Sequence, residues 1–283
     1  MRISGFFRLV VVSITFGSGF LGAQNYNLKS PKGSYTLPPI LREVSGITIT
    51  DDDNIVCVQD ELGLIFMFNT QTKELAGKDS FYVKGDFEGI ASANGDLYVL
   101  RSDGAIIEVQ KPFTNELTTN TYFTNIPAVD NEGLCYDKEN NRLLIASKSM
   151  SSKENTSYHE RMIYSFDLKE KKLSENPFII IDIPTIQDFL VKKYKISSTV
   201  DIHFNPSEVA IHPTTNKIYV LSADANLLCV FNNGVFESAE MLNKNLFYKA
   251  EGLCFLSNGD MLISNEGPRK GSGNVLLFKY TKK

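Results

Sequence analysis

Tryptophan is absent from this 283-residue chain, and histidine occurs only three times, as His159, His203 and His212. So few and such scattered imidazoles exclude a histidine-built zinc or iron centre. Cysteine is scarce too: Cys57, Cys135, Cys229 and Cys254 lack the paired spacings of a zinc knuckle or a disulfide framework. Each stands in an apolar string such as Ile55-Val56-Cys57-Val58, so buried free thiols are expected, although an exported protein could oxidise them. There is no basic block: Lys and Arg number 29 against 33 Asp and Glu, for a formal charge of −4. A nucleic-acid groove therefore has no electrostatic footprint, and nucleic acid is excluded as a partner. No Gly-x-Ser-x-Gly elbow and no Cys/His pair of catalytic spacing occurs. The glycine-rich stretch from Gly267 to Gly273 runs into a strand rather than a helix, which argues against a phosphate loop.

What is present begins with an address. Arg2 and Arg8 precede an uncharged run from Leu9 to Leu21, closed by Gly22-Ala23. A short positive region, an apolar stretch and small residues describe a secretory signal peptide over residues 1–23, with one mature domain expected over 24–283. An uncleaved N-terminal anchor is the alternative, but the run is short for a bilayer span, and no other stretch could cross one. Gln24 stands where a lipoprotein would need cysteine. The mature chain is expected to be exported, periplasmic or secreted, without membrane insertion.

Internal repetition sets the architecture. Five anchors recur: Val44-Ser45-Gly46-Ile47, Phe87-Glu88-Gly89-Ile90, Asn131-Glu132-Gly133-Leu134, Ser207-Glu208-Val209-Ala210 and Ala250-Glu251-Gly252-Leu253. Each leads into a polar turn, an apolar strand, a second polar turn and another strand, the pattern of antiparallel meanders. Successive anchors lie 43, 44, 76 and 43 residues apart. A period of about 40–45 residues with several short strands per unit is the signature of β-propeller blades. The expected fold is all-β: a single propeller, five blades of four antiparallel strands, with a sixth blade poorly supported. The segment Tyr26 to Leu37 is expected to close the ring as the outer strand of the last blade. The long third interval holds a polar turn, Ser151 to Arg161, and a helical pattern from Pro184 to Ile196. That helix is read as packing on the rim, with a gating lid as the other option.

In a meander blade the innermost strand starts on the face where the second strand ends. Glu88, Glu132, Glu208 and Glu251 should therefore share one channel mouth with the turn residues Asp60, Glu61, Arg101, Asp103, Lys148, Asp224, Asn265 and Glu266. Converging carboxylates repel unless protons or a cation neutralise them. An oxygen-only donor set suits Ca²⁺, which takes about 6–8 oxygen ligands. The same glutamates could instead bond neighbouring backbone amides and hold blades in register, and Lys148 could pair with one of them in competition with a metal. Asp51-Asp52-Asp53 reads as a solvated turn, and His212-Pro213 as an exposed one.

The Val44-Ser45-Gly46 opening, the Gln59-Asp60-Glu61 turn, the recurrent Glu-Gly anchors and Asn205-Pro206-Ser207-Glu208 together resemble the SdiA-regulated (YjiK-like) family. The resemblance spans about residues 40 to 280 and rests on order and spacing, since each motif is short. It implies a five-bladed propeller distantly related to NHL-repeat propellers, with a bound calcium ion and no established activity. The expectation that follows is an exported calcium-binding module engaging a small molecule or protein at the channel mouth. Its rival is a calcium-dependent hydrolase of lactonase or esterase type using channel carboxylates; a third option is a purely structural ion. A closed ring leaves no free sheet edge, so a monomer is expected.

Overall fold

The structure is a computed structural model that describes residues 25–50, 52–150 and 159–282; the expected export segment, Asp51 and residues 151–158 of the polar turn lie outside them. Among the described residues no helix is long and apolar enough to cross a membrane. The strands form five antiparallel sheets arranged as the five blades of a β-propeller. Strand β1 (Gly33–Thr36) comes first in the chain and belongs to the last blade. Blade one holds β2 (Val44–Ile49), β3 (Ile55–Gln59), β4 (Leu64–Asn69) and β5 (Glu74–Ser80). Blade two holds β6 (Phe87–Ala93), β7 (Asp96–Arg101), β8 (Ala105–Gln110) and β9 (Thr118–Phe123). Blade three holds β10 (Ala128–Asp137), β11 (Arg142–Met150) and β12 (Glu160–Asp167). Its outer strand is split into β13 (Lys172–Leu173) and β14 (Ile179–Asp182), both paired to β12. Blade four holds β15 (Glu208–Ile211), β16 (Ile218–Ser222), β17 (Leu227–Asn232) and β18 (Val235–Met241). Blade five holds β19 (Ala250–Phe255), β20 (Met261–Asn265) and β21 (Asn274–Phe278), and β1 pairs with β21 from Gly33↔Leu277 to Thr36↔Asn274. The N-terminal strand thus closes the ring.

The core is not one cluster but five, one between each pair of neighbouring blades. Strand periodicity explains this: successive side chains point to opposite faces, and each blade face meets another blade. In β3, Ile55 and Cys57 pack toward blade five, while Val56 and Val58 pack toward blade two. A strand buried on both faces has no polar alternation, which is why these strings read as continuous apolar runs. The cysteines obey the same rule. All four are free; Cys57, Cys229 and Cys254 are buried and Cys135 is half-buried.

The anchor glycines answer a spatial demand at the axis. A Cβ at Gly46 would stand 2.7 Å from the Ile90 nitrogen and 2.8 Å from Gly89 Cα. One at Gly133 would stand 2.7 Å from the Val209 nitrogen and 2.8 Å from Glu208 Cα. At these two crossings between neighbouring inner strands, only a bare Cα allows the approach.

Helix α1 (Ile183–Tyr194) starts as the sequence pattern requires. Asp182 caps it, accepting from Thr185 N at 3.0 Å; Pro184 stands in the first turn, and Lys195 ends it in a left-handed conformation. Ile183, Ile186 and Leu190 enter the cluster between blades three and four, and Phe189 meets Phe236 of β18 edge-on at 5.4 Å. This is rim packing. His212, expected in an exposed turn, is instead fully buried. The N-terminal segment folds over it: Tyr26 donates to the Gly259 carbonyl at 2.6 Å, and the Tyr280 and Phe255 rings lie 4.6 and 5.0 Å from the imidazole. Its Nδ1 accepts from Thr214 N and Thr215 N, at 3.1 and 3.2 Å.

Candidate functional site: the carboxylate-lined channel mouth

Three of the four anchor glutamates occupy β-bulges. The register of β6 on β7 shifts between Phe87 and Gly89, that of β10 on β11 between Asn131 and Gly133, and that of β19 on β20 between Ala250 and Gly252. Glu88, Glu132 and Glu251 are the extra residues, and a bulge re-aims its side chain out of the ladder. Blade four has no such shift: Glu208 pairs with Leu221 and Val209 with Val220. Glu208 therefore occupies the place that glycine holds elsewhere. The contacts agree, because Gly133 faces Glu208 Cα and Val209 N as Gly46 faces Gly89 Cα and Ile90 N.

Glu208 is fully buried at the axis. Its Oε1 accepts from Leu134 N of the neighbouring blade at 2.7 Å and from Val209 N at 3.0 Å, while Oε2 has no hydrogen-bond partner. Burial pushes its carboxyl well above the ordinary range, and the nearby Glu132 and Glu251 add to this against the two amides. The other three follow suit. Burial, then repulsion from Glu132, Asp86 and Asp130, raises Glu88 to about 9. Glu132 rises to about 8 by burial and Glu251, against an opposing Lys148; Glu251 rises to about 7 by burial and Glu266. Lys148 pairs directly with Glu132 and keeps its proton firmly.

The turn residues divide into open and committed groups. Glu61 is exposed, and Asp60 beside it is raised, chiefly by burial. Arg101 grips Asp103 with two bonds of 2.9 and 2.7 Å. Asp224 accepts from Asn205 at 2.9 Å, and Lys249 pairs with Glu266 at 2.8 Å. Asn265 is fully buried, donating to Leu246 O and Asn274 Oδ1, so it braces loops rather than facing the mouth. Two members escaped the sequence reading: Asp86, which accepts from Ser102 Oγ at 2.6 Å, and Asp130. Both raise the Glu88 carboxyl. Their signal was present as a shared Asp-x-Glu-Gly, in Asp86-Phe87-Glu88-Gly89 and Asp130-Asn131-Glu132-Gly133.

The donor chemistry fits a hard cation: every candidate ligand is a carboxylate, and Glu208 Oε2 is a buried oxygen without a partner. Among the described residues, however, no group of three His, Cys, Asp or Glu side chains is preassembled as a metal cage. Lys148 supplies positive charge to Glu132 in its place. The raised carboxyls also set a pH dependence. Their folded-state values exceed the unfolded ones, so their contribution to stability is complete below about pH 4.5 and is lost as pH rises toward 9. Melting temperature in chelator is expected to fall between pH 5 and 9, and Glu88→Gln is expected to flatten that fall. An unchanged slope in the variant would show that Glu88 is not a source of it.

Neither a protein-family model nor a curated protein matches this chain. Solved structures do. The chain is similar to the glutaminyl cyclase of Myxococcus xanthus, at 10% identity over 89% of this chain and 96% of that one, with a TM-score of 0.58. It is similar to U3-55K at 9% identity over 88% and 100% of the two chains, with a TM-score of 0.52. Virginiamycin B lyase from Staphylococcus aureus matches at 12% identity over 86% of this chain and 69% of its own, with a TM-score of 0.47. At such identities the likeness is one of fold: this chain is a β-propeller.

Proposed function

We propose that this chain is an exported, calcium-binding β-propeller that binds a ligand or partner at its carboxylate-lined mouth. The observation that carries the reading is the gathering of Glu88, Glu132, Glu208 and Glu251 with Asp86 and Asp130, each glutamate held above its ordinary protonation range by burial and by its neighbours. Protons or a cation can neutralise such a group, so a cation binds in competition with the protons and more tightly as pH rises. Calcium would be held by these glutamates, with Lys148 as its competitor for Glu132. The resemblance to the SdiA-regulated family supports the same ion. A second observation favours a docking role. Ile40, Val83, Val200 and Tyr248 are exposed large apolar residues, one in each of four of the connections that lead to an inner strand at this mouth; Phe123 and Met241 are exposed at the ends of β9 and β18 on the same side. Apolar side chains around a polar centre are the composition of a recognition surface.

The rival is a calcium-dependent hydrolase, in which a carboxylate near neutrality activates water. Glu251, at about 7, is the side chain suited to that role. Calcium titration calorimetry on the chain without residues 1–23 tests the main reading. About one ion per chain is expected, with binding lost in a Glu88→Gln/Glu251→Gln double variant and tightened roughly tenfold in Lys148→Met, a change of about 1.4 kcal/mol. No saturable binding in either the unaltered chain or Lys148→Met would overturn it. Turnover of a lactone or ester panel, abolished by Glu251→Gln with calcium still bound, would establish the hydrolase instead.

A further inference from the structure

The two ends of the channel differ in chemistry. The anchor glycines let the inner strands approach closely at the carboxylate end, and past them the channel runs on toward the strands' far ends. That far end opens into a cavity of about 710 Å³, within the range of small-molecule sites. Its wall is made from the second halves of all five inner strands: half-buried Ile49, Tyr136, Ile211 and Phe255 present apolar surface, half-buried Thr48, Ser92 and Cys135 line it between them, and Ile90 and Leu253 lie buried beneath.

Charge at this end is balanced, with Asp137 and Glu139 standing beside Lys138 and Arg142 in the wall. Asp137 accepts from Arg142 Nε at 2.8 Å and from Asn140, and the Arg142 guanidinium also lies 4.0 Å over the Phe178 ring. Glu139 accepts from Asn216 at 2.7 Å, and the Tyr136 hydroxyl bonds Asn94 and Asn141 at 3.1 and 3.0 Å. Lys138 is exposed. Burial keeps the thiols of Cys135 and Cys254 in their neutral form, and both feel the Glu208 carboxyl, which also interacts with Glu132 and Glu251 of the other mouth. Glu208 thus separates an acidic mouth from a neutral one.

We infer that this second cavity is a binding site for an uncharged small molecule with an apolar body. A charged ligand would lose its hydration against a wall whose charged residues, Asp137, Glu139, Lys138 and Arg142, cancel in sign, whereas an apolar body gains by leaving water. The inference does not depend on calcium at the opposite mouth.

The test uses the neutral fluorophore N-phenyl-1-naphthylamine on the chain without residues 1–23. Saturable binding of about one molecule per chain is expected. It should be displaced by decan-1-ol at roughly tenfold lower concentration than by decanoate, and it should slow maleimide labelling of Cys135. Ser92→Trp, which projects an indole into the cavity, should weaken the probe at least tenfold; Lys148→Met, at the opposite mouth, should not change it. Absence of saturable binding, or labelling of Cys135 unaffected by the probe, would overturn the site. Equal displacement by decanoate would overturn the uncharged specification. Probe affinity unchanged in a Ser92→Trp protein with an intact melting transition would place the binding elsewhere. Should Ser92→Trp not fold, the labelling and displacement results on the unaltered chain decide.

Discussion

At pH 5, replacing Glu208 by alanine is expected to cost about 4 kcal/mol, while replacing it by glutamine should change stability by less than about 1 kcal/mol. Alanine leaves the amides of Leu134 and Val209 buried with no acceptor, and each unsatisfied donor costs about 1–3 kcal/mol. Glutamine keeps the accepting oxygen and its shape. The pH matters to the sign. The folded-state value of Glu208 is raised well above its ordinary 4.5, so folding takes up a proton at any pH between the two. Each unit above the ordinary value costs the unaltered protein about 1.4 kcal/mol until the folded-state value is reached. Glutamine carries no such cost and should therefore become the more stable of the two by pH 8. Chemical denaturation of the three proteins at both pH values checks this. A Glu208→Gln protein less stable than the unaltered one at pH 8 would mean that Glu208 is ionised in the fold.

Gly133→Ala is expected to lower stability by about 3 kcal/mol, or about 6–12 °C in melting temperature, because the new methyl meets backbone on β15 at 2.7–2.8 Å and neither strand can yield without opening the ring. Gly95→Ala is the matched control. Gly95 has φ of +89° with nothing within 4 Å of an added Cβ, so only backbone strain, about 1–2 kcal/mol, applies there. A Gly133→Ala protein as stable as the control would show that the glycine answers to something other than inter-blade approach.

The anchor glutamates illustrate how far residue order reaches. Spacing alone brought Glu88, Glu132 and Glu251 to one mouth, since a period of about 43 residues with alternating turns leaves few ways to arrange four-stranded meanders. It set Glu208 in the same row, although Val209 stands where the others have glycine. One absent bulge, a matter of pairing between β15 and β16, moves this carboxyl onto the axis and gives it backbone amides as partners. His212 tells the same story from the surface: a His-Pro turn reads as exposed until a segment nearly 190 residues earlier covers it. Asp86 and Asp130 were legible in principle, as a repeated Asp-x-Glu-Gly, but the partnership of Asp130 with Glu88 crosses from blade three to blade two.

By itself, the order of residues determined the number of blades, the closing strand, the helix on the rim and the gathering of acids at one end. These follow from local pattern, because turn chemistry, strand periodicity and repeat length act between near neighbours along the chain. Only the tertiary structure decided which carboxyl is sealed in the axis, which pairs with Lys148, and that the far end of the same channel is a neutral cavity. Those outcomes depend on how closely five separate inner strands approach one another, a distance set jointly by every blade and written in none of them.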